Sequence, residues 1–444
     1  MTTPRSQAAG SDRLAERLAG RGIHYGWVVV AVTFLTMLVT AGAVGAPGVL
    51  IDPLRAEFGW ATADISSAFA IRLVLFGLMG PFAAAFMNRF GLRRVAAVAL
   101  SLIAAGIFGS LFMTQLWHLL LLWGVVVGFG TGLTAMVLGA TVATRWFAER
   151  RGLVMGLLTA STATGQLVFL PLLAHLTESV GWRSALVAVL AMILVAAIAV
   201  LSLMRDRPAD VGLAPYGATG PAVAPASPAS ADTSGRLGAL LLSPLVALRD
   251  AARSRTFWLL FGTFFVCGAS TNGLVQTHFV SLCGDYGMAA VTAASMLAII
   301  GLFDFAGTVG SGWLSDRFDS WRLLFWYYAL RGLSLIYLPF TDFSLYELSI
   351  FALFYGLDWV ATVPPTLKLT AEAFGERANL VFGWIFAGHQ LGAAFAAYGA
   401  GFTRTVYDTY LPAFFLAGVL CVLASLAVVA FRERGDKTRL PAAA

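Results

Sequence analysis

Long apolar runs separated by short charged loops make up most of the chain. Each run is long enough to cross about 30 Å of hydrocarbon as a helix of roughly 20 residues. The predicted spans cover residues 24–46, 63–86, 95–113, 117–142, 153–178, 182–204, 257–281, 291–314, 320–340, 345–369, 380–404 and 410–432. The pattern therefore predicts an all-α membrane protein with twelve transmembrane helices.

A polar stretch separates the sixth predicted span from the seventh. It contains "APYGATGPAVAPASPASADTSG", whose Ala, Pro, Ser and Gly residues bury too little apolar surface to order a chain. The more apolar "RLGALLLSPLVALRDAARSR" follows and predicts a helix on the membrane surface. The expected organisation is a tail (1–23), a six-helix half (24–204), a linker (205–256), a second half (257–432) and a tail (433–444).

Composition and charge support a membrane location and predict an orientation. Hydrophobic residues make up 59% of the chain and charged residues 12%, whereas about a quarter of a soluble domain is charged. Most Lys and Arg residues fall in the tails, the linker and the loops on one side of the predicted bundle. Since cytoplasmic loops retain such residues, we expect both termini and the linker to be cytoplasmic, in a multi-pass protein of the plasma (inner) membrane.

The same charge distribution limits the expected partners. It explains the net charge of +6 without a nucleic-acid partner, and arginines near the membrane surface can contact lipid headgroups. The three cysteines lack metal-ligand spacing, and no nucleotide-binding or metalloprotease motif is present. We therefore expect no metal, no cofactor and no enzymatic activity.

The two halves resemble each other in sequence. The segment "AAAFMNRFGLRRV" recurs as "GSGWLSDRFDSWRLL" at an offset of 228 residues, and "ERRGLVMGLLTASTATG" recurs as "ERANLVFGWIFAGHQLG" at an offset of 227. Gly45 matches Gly273, and Gly165 matches Gly392. Such symmetry predicts two six-helix units in the same orientation, related by an axis along the membrane normal.

The repeated loop resembles the G-x-x-x-D-R-x-G-x-R-R motif of the major facilitator superfamily. The resemblance covers nearly the whole chain and implies that these loops help to close one face of a carrier. The candidate gating residues are Asn88, Arg89, Gly91, Arg93 and Arg94 in the first copy, and Gly312, Asp316 and Arg317 in the second. For Arg93 and Arg94, ordinary positive-inside charge is the alternative explanation.

One further stretch, "WFAERRGLVMGLLTASTATG" at residues 146–165, resembles the monocarboxylate porters of that superfamily. In that family the eighth span carries an aspartate and, one helical turn later, an arginine. The aspartate is thought to take the coupled proton and the arginine to bind the anion. Asp304 fits the aspartate here, but Thr308 stands at the arginine position.

Ionisable residues inside predicted spans are candidates for function because they are costly in lipid. Asp304 lies twelve residues before Asp316, which places it about 18 Å from the loop and close to the midplane. An anionic substrate would need a cation, for which Arg72, Arg331 and His389 are candidates. Alternatively, a neutral or cationic substrate is bound by Asp304 or Asp358.

Structural roles are the alternatives at these positions. Neighbouring helices could satisfy Asp304, and Arg72 or Arg331 could be paired within the protein. Asp358 lies near Pro364 and Pro365, which can bend a helix. From residue type and depth, further cavity residues are predicted to be Tyr25, Asn272, Gln276, Tyr355 and Gln390.

These features favour a secondary transporter in which residues 24–204 rock against 257–432. The expected substrate is a small organic anion, a monocarboxylate in particular, coupled to protons. Two other functions remain open at this point. One is an exporter of drugs or lipophilic metabolites with the same fold, and the other is a membrane receptor that binds a ligand without transporting it.

Overall fold

Twelve long helices build the part of the chain that the structure describes. The structure is a computed structural model, and it describes residues 16–18, 20–134, 136–218 and 233–438. The helices are α1 Gly26–Phe58, α2 Thr62–Phe90, α3 Leu92–Ser110, α4 Leu116–Trp146, α5 Arg151–Val180, α6 Trp182–Leu203, α7 Arg255–Asp285, α8 Ala290–Ser315, α9 Ser320–Phe340, α10 Leu345–Phe374, α11 Ala378–Tyr407 and α12 Leu411–Thr438. A further helix in the linker, Thr233–Ala251, is called the linker helix below.

These helices confirm the predicted all-α membrane fold. Eleven of them are long and apolar enough to cross a membrane, and in α5 the apolar stretch found among the described residues is Val168–Val180. Helix α1 is longer than predicted, because it continues beyond residue 46 to Phe58. Its second segment begins at Pro47. Proline is tolerated there because the N–H groups in the first turn of a helical segment have no acceptor within that segment, so a missing N–H costs little.

The helices pack as two halves, α1–α6 and α7–α12, with equivalent contacts in each. The pair α1–α5 corresponds to α7–α11, α3–α6 to α9–α12, and α2–α4 to α8–α10. The halves meet where α2 packs against α11 and where α5 packs against α8. These two helix pairs are related by the internal repeat, and the second segments of α1 and α7 add a further contact between the halves.

Two repeated glycines show why the halves pack alike. A methyl group on Gly165 of α5 would overlap the Leu38 carbonyl oxygen of α1, and one on Gly392 of α11 would overlap the Phe265 carbonyl oxygen of α7. Both the glycines and the carbonyls are separated by 227 positions. Small residues let membrane helices approach closely, so the repeat in the sequence corresponds to a repeated helix contact.

The two ends of the bundle differ in how closely the halves meet. We call the end that holds the linker and the starts of α1 and α7 the linker side. On the opposite side, a side chain on Gly48 of α1 would collide with the Gln276 carbonyl of α7, and one on Gly401 of α11 with Ser66 of α2. The halves are therefore in close contact on the opposite side.

Part of the predicted flexible linker is held against the first half. The Tyr216 N–H donates to the Trp146 carbonyl at 2.8 Å, and the Tyr216 ring packs against Trp27 and Phe147. A helix, the linker helix, is present where a surface helix was predicted. Trp384 Nε1 of α11 donates to the Pro244 carbonyl of the linker helix at 2.7 Å. The most Pro- and Ala-rich residues of the linker, 219–232, lie outside the described residues.

Candidate functional site

A cavity of about 420 Å³ lies between the two halves. Residues of α1, α2, α4 and α5 line it from one half, and residues of α7, α8, α10 and α11 from the other. Its lining reaches Gly156, five residues into α5 from the linker side, and Thr40 in the middle of α1. The cavity therefore extends from the centre of the bundle toward the linker side.

Asp304 lies in the wall of this cavity and is the one carboxylate among its described lining residues. Its Oδ1 atom accepts two hydrogen bonds, from Thr308 Oγ1 at 3.0 Å and from the Val360 N–H at 2.8 Å. Thr308 also lines the cavity. The aspartate thus joins α8 to α10 through neutral donors, and no arginine lies one turn away.

The Val360 N–H is available because α10 is interrupted there. The helix stops at Asp358 and resumes at Val363. Pro365 lacks the N–H that would bond the Ala361 carbonyl, and Ser311 Oγ of α8 donates to that carbonyl instead, at 2.5 Å. Irregular backbone is tolerated at membrane depth when the protein satisfies it or when it lines a cavity, and both conditions hold here.

Arg331 and Asp358 form a buried ion pair behind this interruption. Arg331 Nε donates to Asp358 Oδ2 at 2.8 Å, with both side chains almost fully buried. The guanidinium also donates to the carbonyls of Asp358 and Trp359 and to Cys267 Sγ. Because Asp358 belongs to the same half, the charge of Arg331 is balanced within the second half. Neither member of the pair lines the cavity.

His389 does line the cavity, next to aromatic rings. Its ring lies 5.1 Å from that of Phe264 and 5.7 Å from that of Phe386, measured between centroids. Its Nδ1 atom is buried and has no hydrogen-bond partner in the described part of the chain. The histidine therefore packs against aromatic rings, and its Nδ1 atom is in a position to bind water or a polar group of a ligand.

Several other polar groups in the cavity wall also lack a partner among the described residues. Gln276 Nε2, both amide atoms of Gln390 and Thr40 Oγ1 are buried and unbonded. Asn272 lines the cavity as well. Buried polar groups nearly always find a partner, so these atoms are suited to bind water or polar groups of a substrate.

The remaining residues predicted for the cavity lie elsewhere. Tyr25 Oη donates to the Leu203 carbonyl at 2.8 Å, near the linker side of the first half. Tyr355 is fully buried, and its Oη donates to the Ser270 carbonyl at 2.6 Å. Arg72 is buried in α2 and is not among the lining residues. The two tyrosines thus cross-link segments of their own halves.

The cavity also contains aromatic residues that residue type and depth did not indicate. They are Phe76, Phe264, Phe305, Trp359 and Phe386. The internal repeat offered a signal for one of them, because Phe76 is separated from Asp304 by 228 positions. The first half therefore places a phenylalanine in the cavity wall at the repeat position where the second half places an aspartate.

The first candidate gating loop is held within its own half on the linker side. Asp206 Oδ1 accepts the Arg93 N–H at 2.8 Å, and Asn88 Oδ1 accepts a bond from Arg145. Gly91 has a φ of +88°, and a side chain there would overlap the Asp206 carboxylate. Arg89 and Arg94 border a second cavity of about 750 Å³ beside this loop.

The second candidate loop is also bonded to its own half. Asp316 directly follows the last residue of α8, and the Arg317 guanidinium lies 4.1 Å from the centroid of the Trp313 ring. Asp319 accepts the Arg322 N–H at 3.0 Å at the start of α9. Among the described residues, no atom lies within 4 Å of a methyl group placed on Gly312. Both loops therefore lie on the linker side, each within its own repeat.

Known transporters share this fold. The xylose transporter XylE from E. coli, in a partially occluded inward-open conformation, superposes with a TM-score of 0.67 at 16% identity, over 92% of this chain and 99% of that one. The nucleoside transporter NupG superposes with a TM-score of 0.72 at 11% identity, over 92% and 99%. At such identities the likeness establishes the fold alone.

Similar sequences point the same way. Monocarboxylate transporter 13 of Rattus norvegicus is 28% identical over 416 residues, which cover 90% of this chain and 87% of that protein. Monocarboxylate transporter 11 of Homo sapiens is 29% identical over 319 residues, which cover 70% and 61%. The family model of the Major Facilitator Superfamily matches residues 33–397. The resemblance seen in the loop motif is thereby confirmed, and the chain belongs to the Major Facilitator Superfamily.

Proposed function

We propose that this transporter carries a small organic anion, a monocarboxylate, together with a proton. The observation that carries the proposal is the position of Asp304, the one carboxylate among the described lining residues of a cavity between the halves. Relatives named as monocarboxylate transporters support the substrate class. Asp304 is the proton site in this proposal.

The contacts of Asp304 suggest how a proton is coupled to movement. Its carboxylate accepts the N–H of Val360 inside the interruption of α10. Hydrogen bonds to an ionised acceptor are roughly twice as strong as neutral ones, so protonation weakens the link between α8 and α10. The part of α10 on the linker side, Val363–Phe374, then moves more freely relative to α8.

Alternating access would follow from rocking of the halves about the two interface helix pairs. Transporters of this type expose a central site to each side in turn by largely rigid movements of their repeats. The α2–α11 and α5–α8 pairs are in contact in this structure, and the cavity extends toward the linker side. A movement that separates the opposite ends of these pairs would expose the cavity to the other side.

Uptake into proteoliposomes under an imposed pH gradient tests the proposal. We expect wild-type protein to accumulate lactate or a similar acid only when the gradient is present. Asp304→Asn should lose this accumulation but retain lactate exchange between the two sides, because the amide keeps the shape without exchanging a proton. Glu372→Gln is the matched control, since Glu372 is an exposed carboxylate of α10.

Two results would count against the proposal. Unchanged gradient-driven accumulation in Asp304→Asn would remove Asp304 from the coupling role. Absence of both accumulation and exchange for every organic acid in the wild-type protein would reject the substrate class.

The aromatic lining favours a second candidate function, export of lipophilic metabolites. The described lining residues include five large aromatic side chains and neither Lys nor Arg. Such a cavity suits an apolar substrate, and Asp304 could bind a cationic group on it directly. Counterflow of lactate compared with counterflow of a lipophilic cation separates the two functions, because each predicts exchange of a different compound.

A further inference from the structure

Arg72 is a buried arginine without an ionic partner in the described part of the chain. Only 3% of its surface is exposed, and among the described residues its Nε atom has no hydrogen-bond acceptor and its guanidinium forms no ion pair. Arg331 is equally buried, but it is bound by a carboxylate, two carbonyls and a thiol. The two arginines were alike in the sequence, and the structure distinguishes them.

Arg72 lies one helical turn from a residue of the cavity wall. Arg72 and Phe76 are one turn apart on the same face of α2, and Phe76 lines the cavity. The backbone of Arg72 packs against Gly128 of α4, and that of Phe76 against Gly132, farther along α4 toward the linker side. Arg72 therefore lies about 6 Å from Phe76 along the helix axis, on the side away from the linker.

The buried guanidinium of Arg72 carries a charge that no described side chain neutralises. Buried arginines are seldom unpaired, since removing a charge from water without a counter-ion is costly. Intramembrane charges that lack a protein partner commonly mark substrate pathways. Arg72 itself is not a lining residue of the cavity, and the described lining residues include neither arginine nor lysine, so Arg72 is the buried cation one helical turn from the cavity wall at Phe76.

We infer that Arg72 forms an anion subsite at the end of the cavity away from the linker, and that its ligand is the carboxylate of the transported acid. This inference rests on the proposed transport of an organic anion. It places the cation for the substrate on α2 of the first half, whereas Asp304 lies on α8 of the second. A bound acid thus contacts both halves, with its hydrocarbon part among Phe76, Phe264 and Phe386.

Thermal unfolding of the purified protein tests the inference. Lactate and its neutral amide, lactamide, are compared as stabilising ligands at equal concentrations. We expect lactate to raise the unfolding temperature of wild-type protein more than lactamide does. In Arg72→Met and Arg72→Gln the lactate dissociation constant should rise at least about tenfold, because a charge-assisted hydrogen bond is lost. Arg72→Lys should retain part of the preference for lactate.

The unliganded proteins supply a second measurement. Because the guanidinium has no counter-ion, Arg72→Met should unfold at the same or a higher temperature than wild type without ligand. Arg331→Met is the matched control, and it should unfold at a lower temperature because it leaves Asp358 unpaired.

Retention of the preference for lactate over lactamide in Arg72→Met would overturn the inference, as would an equal loss in Arg72→Lys and Arg72→Met. If lactate neither stabilises nor is transported by the wild-type protein, the proposed anion transport itself fails, and this result is distinct from a failure at Arg72 alone.

Discussion

Glu178 at the end of α5 accepts the backbone N–H of Ala290 at the start of α8, at 2.8 Å. A second bond of the same kind joins Thr405 Oγ1 at the end of α11 to the N–H of Ala63 at the start of α2, at 3.1 Å. The acceptors are 227 positions apart, and so are the donors. On the side opposite the linker, each half therefore caps a helix of the other half in its first turn, where backbone N–H groups lack helical partners.

Removal of both acceptors should loosen this side. We expect Glu178→Ala combined with Thr405→Ala to speed amide hydrogen exchange at Ala63 and Ala290, because their N–H groups become free and the halves separate more often. Exchange measured by mass spectrometry on the first turns of α2 and α8 checks this. Ser179→Ala is the control, since Ser179 Oγ bonds to the carbonyl of His175 in its own helix. Equal exchange in the double variant and the control would show that the two bonds do not hold the halves together.

The buried pair of Arg331 and Asp358 should matter mainly for stability. Arg331→Met leaves Asp358 unpaired and releases the carbonyls of the α10 interruption, so we expect a loss of about 3–5 kcal/mol in the free energy of unfolding. Arg331→Met with Asp358→Leu should lose less than the sum of the two single variants, because no charge remains buried. Thermal unfolding of the four proteins of this double-mutant cycle measures the coupling.

Arg322→Met provides a baseline for that cycle, since Arg322 is exposed at the start of α9. A strictly additive cycle would contradict a direct interaction between Arg331 and Asp358.

Two glycines of α11 should respond oppositely to the same substitution. A methyl group on Gly392 overlaps the Phe265 carbonyl, whereas nothing lies within 4 Å of one on Gly399. Gly392→Ala should therefore destabilise the protein by about 1–3 kcal/mol. Gly399→Ala should stabilise it by up to about 1 kcal/mol, because alanine favours the helix. Unfolding temperatures of the two variants check the contrast, and similar values would argue against the close α7–α11 contact.

The contact between the linker and the first half depends on the ring of Tyr216. That ring packs against Trp27 and Phe147, and Arg150 lies 5.7 Å from its centroid. Tyr216→Ala should therefore speed hydrogen exchange of the amide at position 216, which bonds to the Trp146 carbonyl. Tyr216→Phe keeps the ring and should leave exchange unchanged. Protection that persists in Tyr216→Ala would mean that backbone bonds alone hold the linker.

Much of the architecture could be predicted from the sequence. The apolar runs indicated the helices, because a span must be about 20 residues long and must satisfy its backbone internally. The internal repeat indicated two similar halves, and the packing of Gly165 and Gly392 shows the contact that the repeat encodes. The depth of Asp304 followed from the helical rise, and the residue does line the central cavity.

The pairing of side chains could be decided only by the tertiary structure. Sequence and depth could not separate Arg331, which binds Asp358, from Arg72, which binds no acid in the described chain. Tyr25 and Tyr355 had suitable types and depths, yet they bond to carbonyls away from the cavity. Helical periodicity determines which residues share a face, but the partner of each face depends on how helices rotate and approach in three dimensions. By itself, the sequence determined the spans, the repeat and the family. The tertiary structure decided which buried charges have an ionic partner among the described residues and which do not, because that depends on how the helices pack in three dimensions.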